Sequence, residues 1–204
     1  MSRILLLGSQ SFQRRELLKK SLIPFALVYQ DADESQCDWG LTLPQLLESI
    51  AIHKMNHVLM PEGKEGDEQY VLTVDTMVQN GDGVIYGKPA NKEVAVMSIK
   101  SLRDNPGIVG TAFCLDKKIY SNGAWHVSER ILRFVSATYV LDIPDHWIEI
   151  YCDQFPEYLT IAGALTIEEF GAQFIQSING SYSTAVGLPL YELREALESI
   201  GFFY

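Results

Sequence analysis

An ionised carboxylate inside an apolar strand costs free energy unless something pairs with it, and Asp75 sits in such a place. It interrupts the strongest strand pattern of the chain, Tyr70 to Gln79 (YVLTVDTMVQ), between Val74 and Thr76. A structural aspartate there would cap a turn or pair with an arginine. A catalytic one would be expected near a strand end, and that is the favoured reading. Cationic candidates lie elsewhere. Ser9, Ser11, Arg14 and Arg15 fall where the apolar run Ile4 to Leu7 gives way, through Gly8, to a helix. Arginines in a first helical turn oppose the helix dipole. With two hydroxyls and the exposed amides of the helix start they make a receptor for phosphate; the alternative is a capped amphipathic helix with two solvated arginines. Lys54 lies in line with an apolar helical stripe, at i+3 from Ala51 and i+4 from Ile50. It either snorkels at the core edge or points into a cleft toward an anion. Lys88, between Gly87 and Pro89, is displayed on a stiffened turn near the strand of Asp75, or is a plain turn lysine. Asp31, Asp33 and Glu34 form an acidic loop that is either solvated or able to hold a divalent cation.

These residues need elements to position them. Ile4–Leu7 and Phe25–Tyr29 read as short strands, with a helix between them capped by Ser11 and carrying Leu17 and Leu18. Thr42-Leu43-Pro44-Gln45 has capping-box spacing and opens a helix to about Leu59 with Leu47, Ile50, Ala51 and Val58 on one face. His53 and His57, one turn apart with no third ligand in view, read as surface residues. Asn80-Gly81-Asp82-Gly83 is a hairpin signal before a strand at Val84–Tyr86. Asn91 caps a helix over Lys92–Leu102. Ile108–Leu115 and Trp125–Val140 alternate like half-buried strands, Pro144 opens a short helix, and Phe155–Phe170 is irregular. A strand at Phe174–Ile178 and a helix at Tyr191–Ser199 complete the pattern of an α/β or α+β chain without repeats or linkers.

The 204 residues fit one large domain or two small lobes, and 47% hydrophobic with 21% charged residues is the profile of an ordinary soluble globule. A net charge of −10 argues against nucleic-acid binding, which depends on Lys and Arg neutralising phosphates. It leaves room for a small phosphorylated ligand, because screening confines exposed charges to about 8 Å at physiological salt. No apolar run approaches the roughly 20 residues that span a bilayer, and the apolar part of MSRILLLGSQS is too short for a signal peptide. A cytoplasmic location without membrane attachment is therefore expected. Cys37, Cys114 and Cys152, without CxxC spacing, read as reduced thiols.

Four stretches, in this order, resemble one family. They are Ser9-Gln10-Ser11 with Arg14-Arg15-Glu16-Leu17-Leu18; Val74-Asp75-Thr76 with Gly87-Lys88-Pro89; Ala162-Gly163 with Phe170-Gly171; and Gly180 with Val186-Gly187-Leu188-Pro189-Leu190. Glu34 and Ala51-Ile52-His53-Lys54 fit between the first two. The chain resembles the Maf proteins, nucleoside triphosphate pyrophosphatases once named for septum formation, over nearly its whole length as a single domain, 1–204. The resemblance implies an α/β fold with a mixed twisted sheet, flanking helices and two lobes around a deep cleft, commonly as a homodimer. It also implies hydrolysis of a nucleoside triphosphate to monophosphate and pyrophosphate with a divalent metal, Mg²⁺ or Mn²⁺. Asp75 is then the catalytic residue and, with Glu34, a metal ligand. Arg14, Lys54 and Lys88, beside Ser9, bind the triphosphate.

Three positions bear on the base. The uridine and thymidine triphosphate branch carries arginine, threonine and glutamine where this chain has Gln13, Thr76 and Glu168; the 7-methyl-GTP branch carries tryptophan, glutamine and glutamate. Thr76 resembles the first branch, Glu168 the second and Gln13 neither. A carboxylate only accepts hydrogen bonds, which suits the adjacent N1–H and N2–H₂ donors of guanine and the positive charge of its 7-methyl form. With Ile108-Val109 this makes 7-methyl-GTP the first expectation and dTTP or UTP the second. Glu169 stands where both branches carry glycine. With Gln13 it motivates a third reading, a nucleotide-binding regulator of cell division with little turnover.

Overall fold

Leu5–Leu7, a run of leucines too short for a helix and buried at Leu5 and Leu7, forms strand β1 in the computed structural model, which describes residues 3–204. Helix α1 (Phe12–Lys20) follows; the Ser11 side chain accepts from the Arg14 amide, and Leu17 and Leu18 face inward. Strand β2 (Phe25–Leu27) returns parallel to β1, Leu5 opposite Phe25 and Leu7 opposite Leu27. Helix α2 (Leu43–Asn56) begins at the expected capping box: Gln45 Oε1 accepts from the Thr42 hydroxyl at 2.7 Å and from the Thr42 amide at 3.3 Å. It ends three residues before Leu59. Its buried face, Leu43, Leu46, Leu47, Ile50, Ala51 and Met55, has helical spacing. Strand β3 (Glu68–Gln79) lies parallel to β1 on its other side, Leu5 opposite Tyr70.

The remaining elements are strand β4 (Ile85–Tyr86), helix α3 (Lys92–Asp104), strands β5 (Ile108–Ser121) and β6 (Ala124–Leu141), helix α4 (Asp145–Gln154), strand β7 (Ile175–Asn179), and helices α5 (Tyr182–Val186) and α6 (Leu190–Ser199). A 3₁₀ segment, Pro156–Thr160, lies in the stretch read as irregular, and a second, Glu169–Phe174, runs from its end to the start of β7, which begins one residue later than expected. β5 runs six residues past the expected Leu115, where Asp116, Lys117 and Lys118 end the apolar alternation, while β6 matches the expected Trp125–Val140 to within one residue at each end. The strands join one seven-stranded mixed sheet in the order β2-β1-β3-β5-β6-β7, with β4 paired to β3. No helix among the described residues is long and apolar enough to cross a membrane.

Contacts divide the chain into two units. The first takes the chain up to Asp75 with Ala112–Phe134 and Leu188–Tyr204. Its core is the leucines of β1, α1 and α2 with the buried run Tyr70–Val74 and the α6 residues Leu193, Ala196 and Leu197. The Phe202 ring meets Tyr70 edge-on at 5.2 Å. The second unit is Thr76–Thr111 with Val135–Gly187. Ala95, Ile99 and Leu102 of α3 pack in its core with Ile148 and Tyr151 of α4 and with Val109, Tyr139 and Leu141 of the strands. Trp147, Tyr151, Phe170 and Phe174 form an aromatic cluster beside them.

Candidate active site

The first unit brings five of the expected residues together: Ser9, Arg14, Glu34, Lys54 and Asp75. The backbone at Gly8 runs so close to β3 that a Cβ there would lie 2.9 Å from Thr73 Cγ2. This brings Ser9 and the start of α1 against the strand. Arg14, only 8% exposed, donates from Nη1 to Ser9 Oγ and to the Val74 carbonyl, both at 2.9 Å. Burial lowers its pKa, opposed by the charges of Asp75 and Glu34. Arg15 turns elsewhere, its guanidinium 6.0 Å from the Phe12 ring centre, as neighbours 100° apart on a helix must. Its Nε is buried with no hydrogen-bond partner among the described residues, while Arg14 is the arginine held against β3.

Lys54 does not snorkel. It is buried, and its ammonium bridges two carboxylates, Asp75 Oδ1 at 2.6 Å and Glu34 Oε1 at 2.8 Å. The Thr73 hydroxyl donates to the Ala51 carbonyl at 2.7 Å, tying α2 to β3 beside this bridge. The acidic loop divides its labour. Asp33 caps the 3₁₀ turn Glu34–Gln36, accepting from the Ser35 amide at 3.0 Å and hydroxyl at 2.7 Å, bonds that hold its pKa below the ordinary value. Glu34 reaches the lysine. His53 Nε2 sits 3.1 Å from the Asp33 carbonyl, so this histidine anchors the loop. Lys54 holds Asp75 through one oxygen. The Asp75 Oδ2 is buried with no hydrogen-bond partner among the described residues.

The other expected residues are placed as follows. Gln13 Oε1 accepts from the Ser11 hydroxyl at 3.1 Å, beside the helix start. In the second unit, Thr76 Oγ1 lies 2.9 Å from Thr111 Oγ1 and 3.4 Å from the Gly187 carbonyl. Thr111 donates on to the Thr184 carbonyl at 3.3 Å. Lys88 is exposed after β4, and the preceding Gly87 carbonyl accepts from the Gly163 amide at 3.0 Å, fixing the turn. Glu168 Oε1 accepts from the Tyr182 hydroxyl at 3.3 Å. Tyr182 and Thr111 were missed in the sequence; nothing in their local pattern separates them from ordinary surface and strand residues. Glu169 adopts φ +50°, a left-handed conformation that explains a glycine preference at this position.

The model of one protein family, described as Maf-like protein, matches residues 4–200. A dTTP/UTP pyrophosphatase of Colwellia psychrerythraea is 34% identical over 98% of this chain and 90% of its own length. A dTTP/UTP pyrophosphatase of Acholeplasma laidlawii is 34% identical over 96% of this chain and 95% of its own. A nucleoside triphosphate pyrophosphatase of Gloeothece citriformis is 29% identical over 97% and 94%. With a family match that runs almost from end to end and the aspartate, lysine and arginine of the resemblance gathered on β3, the chain belongs to the Maf family.

Proposed function

We propose that the protein hydrolyses a nucleoside triphosphate to the monophosphate and pyrophosphate, with dTTP and UTP as its substrates. The observation that carries the reaction is the unequal state of the two Asp75 oxygens. Oδ1 is held by Lys54, while Oδ2 is buried with no hydrogen-bond partner among the described residues. Such an atom costs about 1–3 kcal/mol in the resting protein, a cost recovered when a ligand group completes it. A water donating to Oδ2 would be oriented for attack on the α-phosphorus. Its oxygen bonds to phosphorus, its proton passes to Asp75, and the bond to the pyrophosphate oxygen breaks. Arg14 and Lys54 would neutralise the charge that collects on the leaving pyrophosphate.

The residues also fit a divalent cation. The open oxygen of Asp75 and the Glu34 carboxylate, its side chain 41% exposed, are hard donors of the kind Mg²⁺ and Mn²⁺ take. No three Asp, Glu, His or Cys side chains converge on one point among the described residues, so substrate phosphates and water would complete the set. An ion held there by Asp75 and Glu34 would supply further neutralisation of the triphosphate.

For the base, the names of the similar proteins and the Thr76 position support a pyrimidine. The Glu168 carboxylate is already engaged by the Tyr182 hydroxyl and so does not by itself select guanine. An acceptor beside a rotatable hydroxyl suits the N3–H and O4 of uracil or thymine as well as it suits guanine. Pyrophosphate release from dTTP, UTP, CTP, GTP and 7-methyl-GTP with Mg²⁺ or Mn²⁺ tests both parts. The expected result is fastest turnover of dTTP or UTP. Fastest turnover of 7-methyl-GTP would overturn the pyrimidine assignment, and binding without release of pyrophosphate from any of them would overturn the hydrolysis.

A further inference from the structure

Lys54 stands on the two carboxylates to which the proposed function assigns a cation. The lysine is buried, with its ammonium 2.6 Å from Asp75 Oδ1 and 2.8 Å from Glu34 Oε1. Arg14 adds a second positive charge, close enough for both carboxylates to act on it. Two cations therefore already answer two anions, and these four groups carry no net negative charge to attract a further cation. The buried Oδ2 of Asp75, with no hydrogen-bond partner among the described residues, does not escape this balance. It shares its carboxylate with the oxygen under Lys54. A divalent ion on Oδ2 would face the ammonium across that one group, and like charges repel strongly at such a separation where water is scarce.

We propose that Lys54 is the resting counter-ion of this pair and that a nucleoside triphosphate draws it off, so that cation and nucleotide bind with positive coupling. The inference rests on the hydrolase reading and its cation site. A triphosphate offers the ammonium charge-assisted hydrogen bonds in place of those it leaves. With the lysine gone, Asp75 and Glu34 hold an unbalanced negative charge that suits a hard cation. The move needs only torsions of the four-carbon lysine stem. The Thr73 hydroxyl, 2.7 Å from the Ala51 carbonyl, keeps α2 on β3 meanwhile. The turn that bears Glu34 has main-chain holds of its own that do not involve Lys54. His53 Nε2 lies 3.1 Å from the Asp33 carbonyl, and Trp39 Nε1 donates to the Glu34 carbonyl at 3.3 Å. Both carboxylates thus keep their places when the lysine leaves. Linkage makes the effect mutual: the factor by which nucleotide raises cation affinity is the factor by which cation raises nucleotide affinity.

Mn²⁺ binding to the full chain, followed by loss of the free-ion signal in electron paramagnetic resonance, tests this without turnover. It is measured alone and with the α,β-imido analogue of dTTP, which resists cleavage. Lys54→Met and Lys54→Gln should each tighten Mn²⁺ alone by about tenfold or more, because a like charge has been removed from beside the ion. The gain in Mn²⁺ affinity on adding the analogue should be smaller in both variants than in the wild type; contacts between Mn²⁺ and the phosphates are common to all three, so the difference is the lysine's share. Weaker Mn²⁺ binding in the variants would mean that Lys54 holds the carboxylates in place for the ion, and would overturn the proposal. So would unchanged affinity and coupling. Thermal melts show that each variant is folded at the titration temperature. A measurement on the wild type needs no variant: the Lys54 ammonium resonance in a ¹H–¹⁵N spectrum should move when the analogue is added without metal, and a stationary signal would also overturn the proposal. Asp75→Asn separates this from the reading beneath it. If it binds Mn²⁺ with the analogue as tightly as the wild type does, the cation site on Asp75 is itself wrong.

Discussion

Two carboxylates of the first unit, Asp75 on β3 and Asp116 on β5, are both buried in strands and both held by a cation, yet they are completed differently. Asp116 is fully buried, and Arg130 closes both its oxygens with a two-pronged contact. Lys118 stands at 3.7 Å. Burial and this carboxylate push the neighbouring Cys114 thiol up to about 12. Asp75 has a shared lysine on one oxygen and no hydrogen-bond partner among the described residues on the other. A satisfied buried ion pair has little left to offer a ligand. A half-satisfied one stores the free energy that a reaction can draw on.

The contrast makes its largest prediction at Asp75. Asp75→Asn should lower kcat by about 10²–10⁴-fold in pyrophosphate release, while its melting temperature moves less than that of a variant at the closed pair. Arg130→Met, which strands the Asp116 charge, should cost about 3 kcal/mol, or roughly 6–12 °C in a thermal melt of a domain this size. Its turnover per folded molecule should be retained. If the two variants exchanged phenotypes, the distinction between the pairs would collapse. Glu168 extends the comparison to a carboxylate with one bond taken. Glu168→Gln should raise the preference for dTTP over 7-methyl-GTP by about tenfold, read from the ratio of kcat/KM values. The smallest effect concerns strain. Glu169→Gly should stabilise the protein by about 0.5–1 kcal/mol in urea unfolding, because glycine accepts φ +50° without the left-handed penalty.

What the sequence disclosed follows the same division. Asp75 was legible because an acidic residue inside YVLTVDTMVQ has no structural reason visible in the pattern. The caps at Ser11, Thr42 and Asn91 were legible because each places a hydroxyl or amide at a helix start. Lys54 was half legible: spacing put it on an apolar stripe, but only the fold shows that Asp75 and Glu34 hold it there. Asp116 was missed altogether, because the apolar alternation of β5 stops at Leu115 and the strand continues on charge pairs that no periodicity reveals. Helix α5, five residues long, lacks the length for a helical pattern to show. The engagement of Glu168 by Tyr182 depends on two segments meeting in space, which no local pattern around Glu168 reveals.

The bond from Thr73 to the Ala51 carbonyl has a wider consequence. It bolts the inner side of α2 to the strand beneath it, two residues from Asp75 and three from Lys54. The spacing of that charged couple is thereby set by main-chain anchorage rather than by anything on the helix's outward side. Labels, fusions or mutational drift on that outer surface can accumulate while the couple keeps its dimensions, and a single methyl-for-hydroxyl exchange, Thr73→Val, is the change that would release it.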